Sequence, residues 1–261
     1  MGSFARKLWL LLMMIFMLAG RGFAADEITV AAAADLNYAL NQLASQFEAA
    51  SGTKVKISFG ASGNLFSQIQ NGAPFDLFFS ADEDYPSKLA SAGIADAPSQ
   101  RIYALGHVVL WVPNNSPFDP EKLQMELLTQ PAVTRVAIAN PQHAPYGRAA
   151  MAALQHYGLK GKLADKLVFG ENVSQAAQFV QSGNAQAGLI AMSLAKSPAM
   201  VSAGRFWVLP SDSYPELKQA AVIISASKNK KAAQAFLDFV LSPEGAAALQ
   251  KYGLTPPAKQ K

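Results

Sequence analysis

From Glu27 to Tyr252 the chain alternates short apolar runs with longer amphipathic ones, and no other feature limits its fold so sharply. EITVAAAA reads as a buried strand, and LNYALNQLASQFEAASG has apolar residues at helical spacing and stops at Gly52. KVKISF alternates as a strand. SGNLFSQIQNG is a short helix closed by Gly72, and DLFFSAD is a second buried strand followed by a helix over Tyr85–Ala92. The long extended run RIYALGHVVLWV ends at Pro113. Beyond a surface loop, Asn114–Pro120, come a helix, the strand RVAIAN, a helix over Tyr146–Tyr157 and the strand KLVFG. A helix over Val173–Ser182, the strand AQAGLIA, the runs FWVLP and QAAVIIS, and helices over Lys230–Leu241 and Pro243–Tyr252 complete the order. Strands and helices in this succession predict an α/β protein, with mainly parallel sheets and helices on both faces.

Two of the extended runs, 101–112 and 217–226, are largely apolar, as a pair of crossing strands between two lobes would be. The expected division places 25–105 and 219–261 in lobe 1 and 106–218 in lobe 2. The last two helices then return to cover lobe 1.

Residues 1–24 precede this pattern. Arg6 and Lys7, an uncharged apolar run from Leu8 to Gly20 and the small residues of Gly22-Phe23-Ala24 describe a cleavable signal peptide. The run is short for a membrane span, which needs about 20 apolar residues. Three basic residues, Arg6, Lys7 and Arg21, lie in this leader with no acidic one, so its removal lowers the formal net charge from +4 to +1. The remainder carries no basic stripe of the kind that binds nucleic acid or a membrane surface. There is no cysteine, which excludes disulfides, thiolate catalysis and lipidation of an N-terminal Cys. An exported, untethered protein points to the periplasm.

In open parallel sheets, ligands bind beyond the carboxyl ends of the strands. Four strand-to-helix junctions qualify: Ala34-Asp35-Leu36, Ala61-Ser62-Gly63-Asn64, Pro145-Tyr146-Gly147 and Glu171-Asn172-Val173-Ser174. None carries Lys or Arg at the turn itself, and Arg148 is the nearest cation. The first turn of a helix offers free N–H groups and about half a positive charge. Four such ends facing one cavity present roughly +2, enough to balance a dianion without an ion pair. The same Ser, Asn and Asp residues also serve as ordinary helix caps, so the junctions alone leave both readings open.

The residues at these junctions also carry a resemblance. ITVAAAADL, ISFGASGNLFSQIQNGAPFDLFFSAD, VAIANPQHAPYGRAAMAAL and SPEGAAALQKYGL resemble the molybdate-binding proteins of molybdate ABC transporters over nearly the whole chain after the leader. The resemblance implies a two-lobed, type II periplasmic-binding-protein-like fold with a hinge of crossing strands. It implies capture of a tetrahedral oxyanion, molybdate and also tungstate, and delivery to an inner-membrane ABC permease and its ATPase, by a monomer without further cofactor. Ser62 matches a serine that donates to the oxyanion, and Val173 a backbone N–H donor at a helix start. Tyr146 falls at a turn where some members use the backbone N–H and others a tyrosine hydroxyl. Two positions depart from the family pattern. Ala191 stands where one branch has a tyrosine, a role for which Tyr146 is the replacement.

Asp35 stands where a hydroxyl is common. A carboxylate 4 Å from a single negative charge is repelled by about 4 kcal/mol at an effective dielectric near 20. Capping of its own helix is therefore the first expectation for Asp35. Acceptance of a proton from a ligand such as hydrogen phosphate or arsenate, or coordination of the metal centre, are the others. Enzyme signals are poor: Ser225-Ala226-Ser227-Lys228 fits the Ser-x-x-Lys pattern of acylating hydrolases but has no partner motif. The three histidines, His107, His143 and His156, lack metal-ligand spacing. The expectation is a binding protein rather than an enzyme.

Overall fold

The structure, a computed structural model, describes residues 27–257. The leader read over residues 1–24 lies outside them. Ten strands form two five-stranded sheets. The first contains β1 (Glu27–Ala33), β2 (Lys54–Gly60), β3 (Leu77–Ser80), β4 (Arg101–Gly106) and β10 (Leu217–Ile223), in the order β2-β1-β3-β10-β4. The second contains β5 (Val108–Pro113), β6 (Val136–Ala139), β7 (Leu167–Gly170), β8 (Ala187–Ala191) and β9 (Gly204–Val208), in the order β7-β6-β8-β5-β9. The helices are α1 (Asn37–Ser51), α2 (Ser62–Gln70), α3 (Asp84–Ser91), α4 (Pro120–Leu123), α5 (Pro145–His156), α6 (Val173–Gln181), α7 (Met192–Ala195), α8 (Pro198–Val201), α9 (Lys230–Leu241) and α10 (Pro243–Lys251).

The α/β fold with helices on both faces holds, and the sheets are mixed in detail. In each, three strands are parallel and the remaining two pairings are antiparallel. The reason is the path of the chain. It leaves the first sheet at Gly106, enters the second as β5, and returns only as β10, so the fourth strand of each sheet arrives from the other lobe and runs in reverse. The long run 101–112 is accordingly two strands, broken at His107. The second passage between the sheets is the segment 209–216, and Leu217 pairs with Gly106 at the base of the cleft.

Burial explains why these runs form strands. β3, β6 and β8 are buried at every position, as central strands covered on both faces must be. On one face of the first sheet, Phe47 of α1 packs against Phe236 of α9 with ring centroids 5.1 Å apart. Phe79 of β3 meets Phe236 at 6.2 Å, so the chain's last helices are fastened to its first sheet. Leu65 and Ile69 of α2 and Leu89 of α3 cover the opposite face with Phe78. A second core lies around Trp111, Leu110 and Ile138 in the other lobe.

Candidate functional site

Helices α1, α2, α5 and α6 follow strands β1, β2, β6 and β7, which all belong to the parallel parts of the sheets. Their first turns therefore lie beyond strand carboxyl ends, two in each lobe, and the lobes bring them together. Ala33, Ala34, Asp35, Gly60, Ala61, Ser62 and Ala81 from one side, and Ala144, Pro145, Tyr146, Asn172 and Val173 from the other, line one small cavity of about 10 Å³. All four junctions singled out in the sequence contribute to it. Drug-sized ligands take pockets of about 300–1,000 Å³, so this cavity holds only a small ion or molecule. The alanines keep its walls to backbone and methyl groups.

No lysine or arginine is among the lining residues. Donors come from helix starts instead. Ser62 opens α2; its Oγ accepts from the Ala81 amide at 3.0 Å, which leaves the hydroxyl hydrogen free for another acceptor. Val173 is the first residue of α6. The preceding Asn172 caps that helix, its Oδ1 accepting from Ser174 N and Gln175 N, both at 3.0 Å. The cap satisfies the second and third amides of the turn and not that of Val173. Pro145 at the start of α5 has no N–H, so the amides of Tyr146 and Gly147 head that helix.

Asp35 does not cap α1. Neither the 3₁₀ turn Ala34–Leu36 nor α1 has a side-chain cap, and Asp35 is 1% exposed. Gln219 Nε2 donates to its Oδ2 at 2.7 Å and to the Tyr146 hydroxyl at 3.1 Å. The Tyr103 hydroxyl donates to Gln219 Oε1 at 2.9 Å and fixes the orientation of that amide. Accepting from Gln219 leaves the Tyr146 hydrogen free to face Asp35. The Tyr146 phenol is thus turned toward a carboxyl network rather than standing open to a guest. Asp35 Oδ1 is buried with no hydrogen-bond partner. Burial pushes the Asp35 carboxyl up to about 6, with the bonds from Gln219 and Tyr146 opposing. Ala191 is buried in β8 opposite Val108 and does not line the cavity. Gln219 was missed in the sequence reading; the signal available was an uncharged polar side chain at the head of the apolar run AAVII.

The Asp35 shift has a measurable consequence for stability. The folded protein keeps this proton until about pH 6, whereas an unfolded aspartate releases it near 3.8. The stabilising contribution is full below pH 3.8 and is lost as pH rises through 6. Asp35→Asn cannot titrate, so its stability relative to the wild type should improve by about 1–2 kcal/mol between pH 5 and pH 7.5. Urea unfolding of the ligand-free proteins at both pH values measures this. A difference that stays constant with pH would mean that Asp35 ionises normally.

Several contacts bridge the lobes around the cavity. The Gly63 amide donates to the His143 carbonyl at 2.8 Å, and Ser193 Oγ to the Asp35 carbonyl at 2.8 Å. Arg148 pairs with Asp82 and lies over the Tyr85 ring, 5.4 Å from its centroid. The nearest cation is therefore employed in joining the lobes and not in the cavity.

Two lobes joined by crossing segments and closed over an ion-sized chamber of helix amides define a solute-binding protein. The family model described as bacterial extracellular solute-binding protein matches residues 28–255. The molybdate-binding protein ModA of Azotobacter vinelandii is 40% identical over 229 residues, 88% of this chain and 90% of that protein. Its namesake from Rhodobacter capsulatus is 36% identical over 230 residues, 88% of each. The solved structure of the Azotobacter vinelandii periplasmic molybdate-binding protein superimposes with a TM-score of 0.82 at 35% identity, covering 88% of this chain and all of that one. The chain belongs to the bacterial extracellular solute-binding protein family and, within it, to the molybdate-binding proteins.

Proposed function

We propose that this protein captures molybdate, and tungstate with it, and delivers the anion to an inner-membrane ABC permease driven by its ATPase. One observation carries the reading: four helix starts meet around one small cavity with no lysine or arginine in its wall. Helix ends supply about half a positive charge each, and gathered around one small cavity their donors need no ion pair. Ser62 through its hydroxyl, Val173 and Tyr146 through their amides, and Asp35 from the first junction are the contacts assigned. A neutral donor set also makes release straightforward, which suits a carrier. The leader over residues 1–24 and the absence of cysteine support export to the periplasm without a lipid anchor, and a monomer suffices for this role.

The Ser-x-x-Lys pattern gains no support. Ser225 and Lys228 line a separate depression with Glu27 and Thr29, at the end of the first sheet opposite the cavity. The Ser227 hydroxyl donates to Asp76 Oδ1 at 2.7 Å.

A thermal-melt panel tests the reading. Ligand at a hundred times its dissociation constant adds about 2.7 kcal/mol to stability. For a protein of this size that is a rise of several degrees. Molybdate and tungstate should each produce it, and sulfate and citrate should not. A response to phosphate alone would instead favour a protonated oxyanion donating to the unpartnered Asp35 Oδ1.

A further inference from the structure

Asp35 is an awkward neighbour for a dianion. It lines the cavity, it is buried, and no cation offsets it, because Arg148 is paired with Asp82. Gln219 holds Oδ2 at 2.7 Å, while Oδ1 has no partner. In a chamber this small a bound tetrahedral oxyanion cannot avoid that carboxyl. A carboxylate can offer it only repulsion, whereas a carboxylic acid has one hydrogen to give, and Oδ1 is the oxygen left to carry it. We propose that Asp35 is protonated in the loaded protein and donates a hydrogen bond from Oδ1 to the oxyanion, so that capture above neutral pH takes one proton from solvent. This inference rests on the oxyanion reading of the cavity. The balance is simple: solvent supplies the proton, the carboxylate accepts it, and no bond of the anion breaks.

None of the side chains in contact with Asp35 is another group that changes charge near neutrality. Tyr146 of α5 and Tyr103 of β4 are both pushed well above the ordinary tyrosine range, first by burial and then by the Asp35 charge. Gln219 of β10 is neutral, and Ser193 of α7 meets only the Asp35 carbonyl. Asp82 is raised by burial but held by Arg148. The Asp35 carboxyl, raised to about 6 by burial before any anion enters, is pushed further in the same direction by a dianion. The device also gives selectivity. A donor at this point suits an oxygen that carries no proton of its own, as every oxygen of molybdate does, and opposes the protonated oxygen of hydrogen phosphate.

Calorimetric titration with molybdate at pH 6.5, 7.5 and 8.5, each in two buffers of different ionisation enthalpy, counts the protons. Molybdate keeps both charges throughout this range. Uptake in the wild type should approach one proton at pH 7.5 and above, and Kd should rise about tenfold per pH unit there. Asp35→Asn, checked for folding by its thermal melt, should bind with no uptake and no slope. Tight binding by the wild type without proton uptake overturns the inference and leaves the oxyanion reading intact. A slope that persists in Asp35→Asn also overturns it and assigns the proton to another group, such as His143. Failure to bind molybdate at any pH removes both.

Discussion

Gly63→Val should weaken oxyanion binding at least about a hundredfold while each lobe stays folded. A Cβ at position 63 would lie 2.6 Å from the Tyr85 hydroxyl, 2.8 Å from the His143 carbonyl oxygen and 3.1 Å from His143 Cα. The tyrosine tip can swing aside. The His143 backbone belongs to the other lobe, and it can yield only if the cleft opens. Opening also breaks the 2.8 Å bond from the Gly63 amide to that carbonyl and withdraws the helix starts of α5 and α6 from the ligand. A hundredfold loss corresponds to about 2.7 kcal/mol against the closed state. Gly63 lies inside α2 with ordinary helical geometry, so a side chain there costs the helix nothing and by propensity favours it. The variant should therefore melt no lower than the wild type without ligand, and alanine should give an intermediate loss of affinity. Calorimetry with molybdate reads the affinity, and small-angle scattering reads whether ligand still compacts the molecule. Wild-type affinity in the valine variant would show that the lobes do not meet at this point when loaded.

The parts of this molecule that could be read from sequence are those with a local signal. Strand-to-helix turns announce themselves through small and capping residues, and their place beyond parallel strands follows from connectivity alone. Hence the four junctions that hold Asp35, Ser62, Tyr146 and Val173 could be picked out, and the structure sets all four around one cavity. Strand direction was less accessible. Apolar periodicity gives the order of the strands and not their sense, so the reversal of the fourth strand of each sheet carries no signal of its own. The run RIYALGHVVLWV carries no mark of the passage between sheets beyond Gly106-His107. Side-chain roles set by distant partners were hidden altogether. Asp35 was expected to cap α1 because its own helix was the only partner in view. Its actual partner, Gln219, is 184 residues away, and the lobe that buries it supplies Tyr146 and Ser193. The pairing of Arg148 with Asp82, 66 positions apart, is of the same kind.

Ser62→Ala removes the one side-chain hydroxyl assigned to the ligand, and molybdate affinity should fall by about ten- to a hundredfold. Hydrogen bonds to charged groups contribute about 1.5–3 kcal/mol, the upper part applying where both partners are dry. The loss is compounded at Ala81. Its amide donates to Ser62 Oγ at 3.0 Å, and the substitution leaves that buried N–H without its acceptor in the free protein. In the loaded protein the same amide, which also lines the cavity, can turn to a ligand oxygen and recover part of the loss. Two effects of opposite sign therefore follow from one oxygen. The ligand-free variant should be less stable by about 1–3 kcal/mol, and the stabilisation it gains from saturating molybdate should remain measurable, though smaller than in the wild type. Urea unfolding with and without molybdate separates the two. Equal stabilisation of both proteins by molybdate would place the anion away from the start of α2, and the assignment of four converging helix ends would lose one of its members.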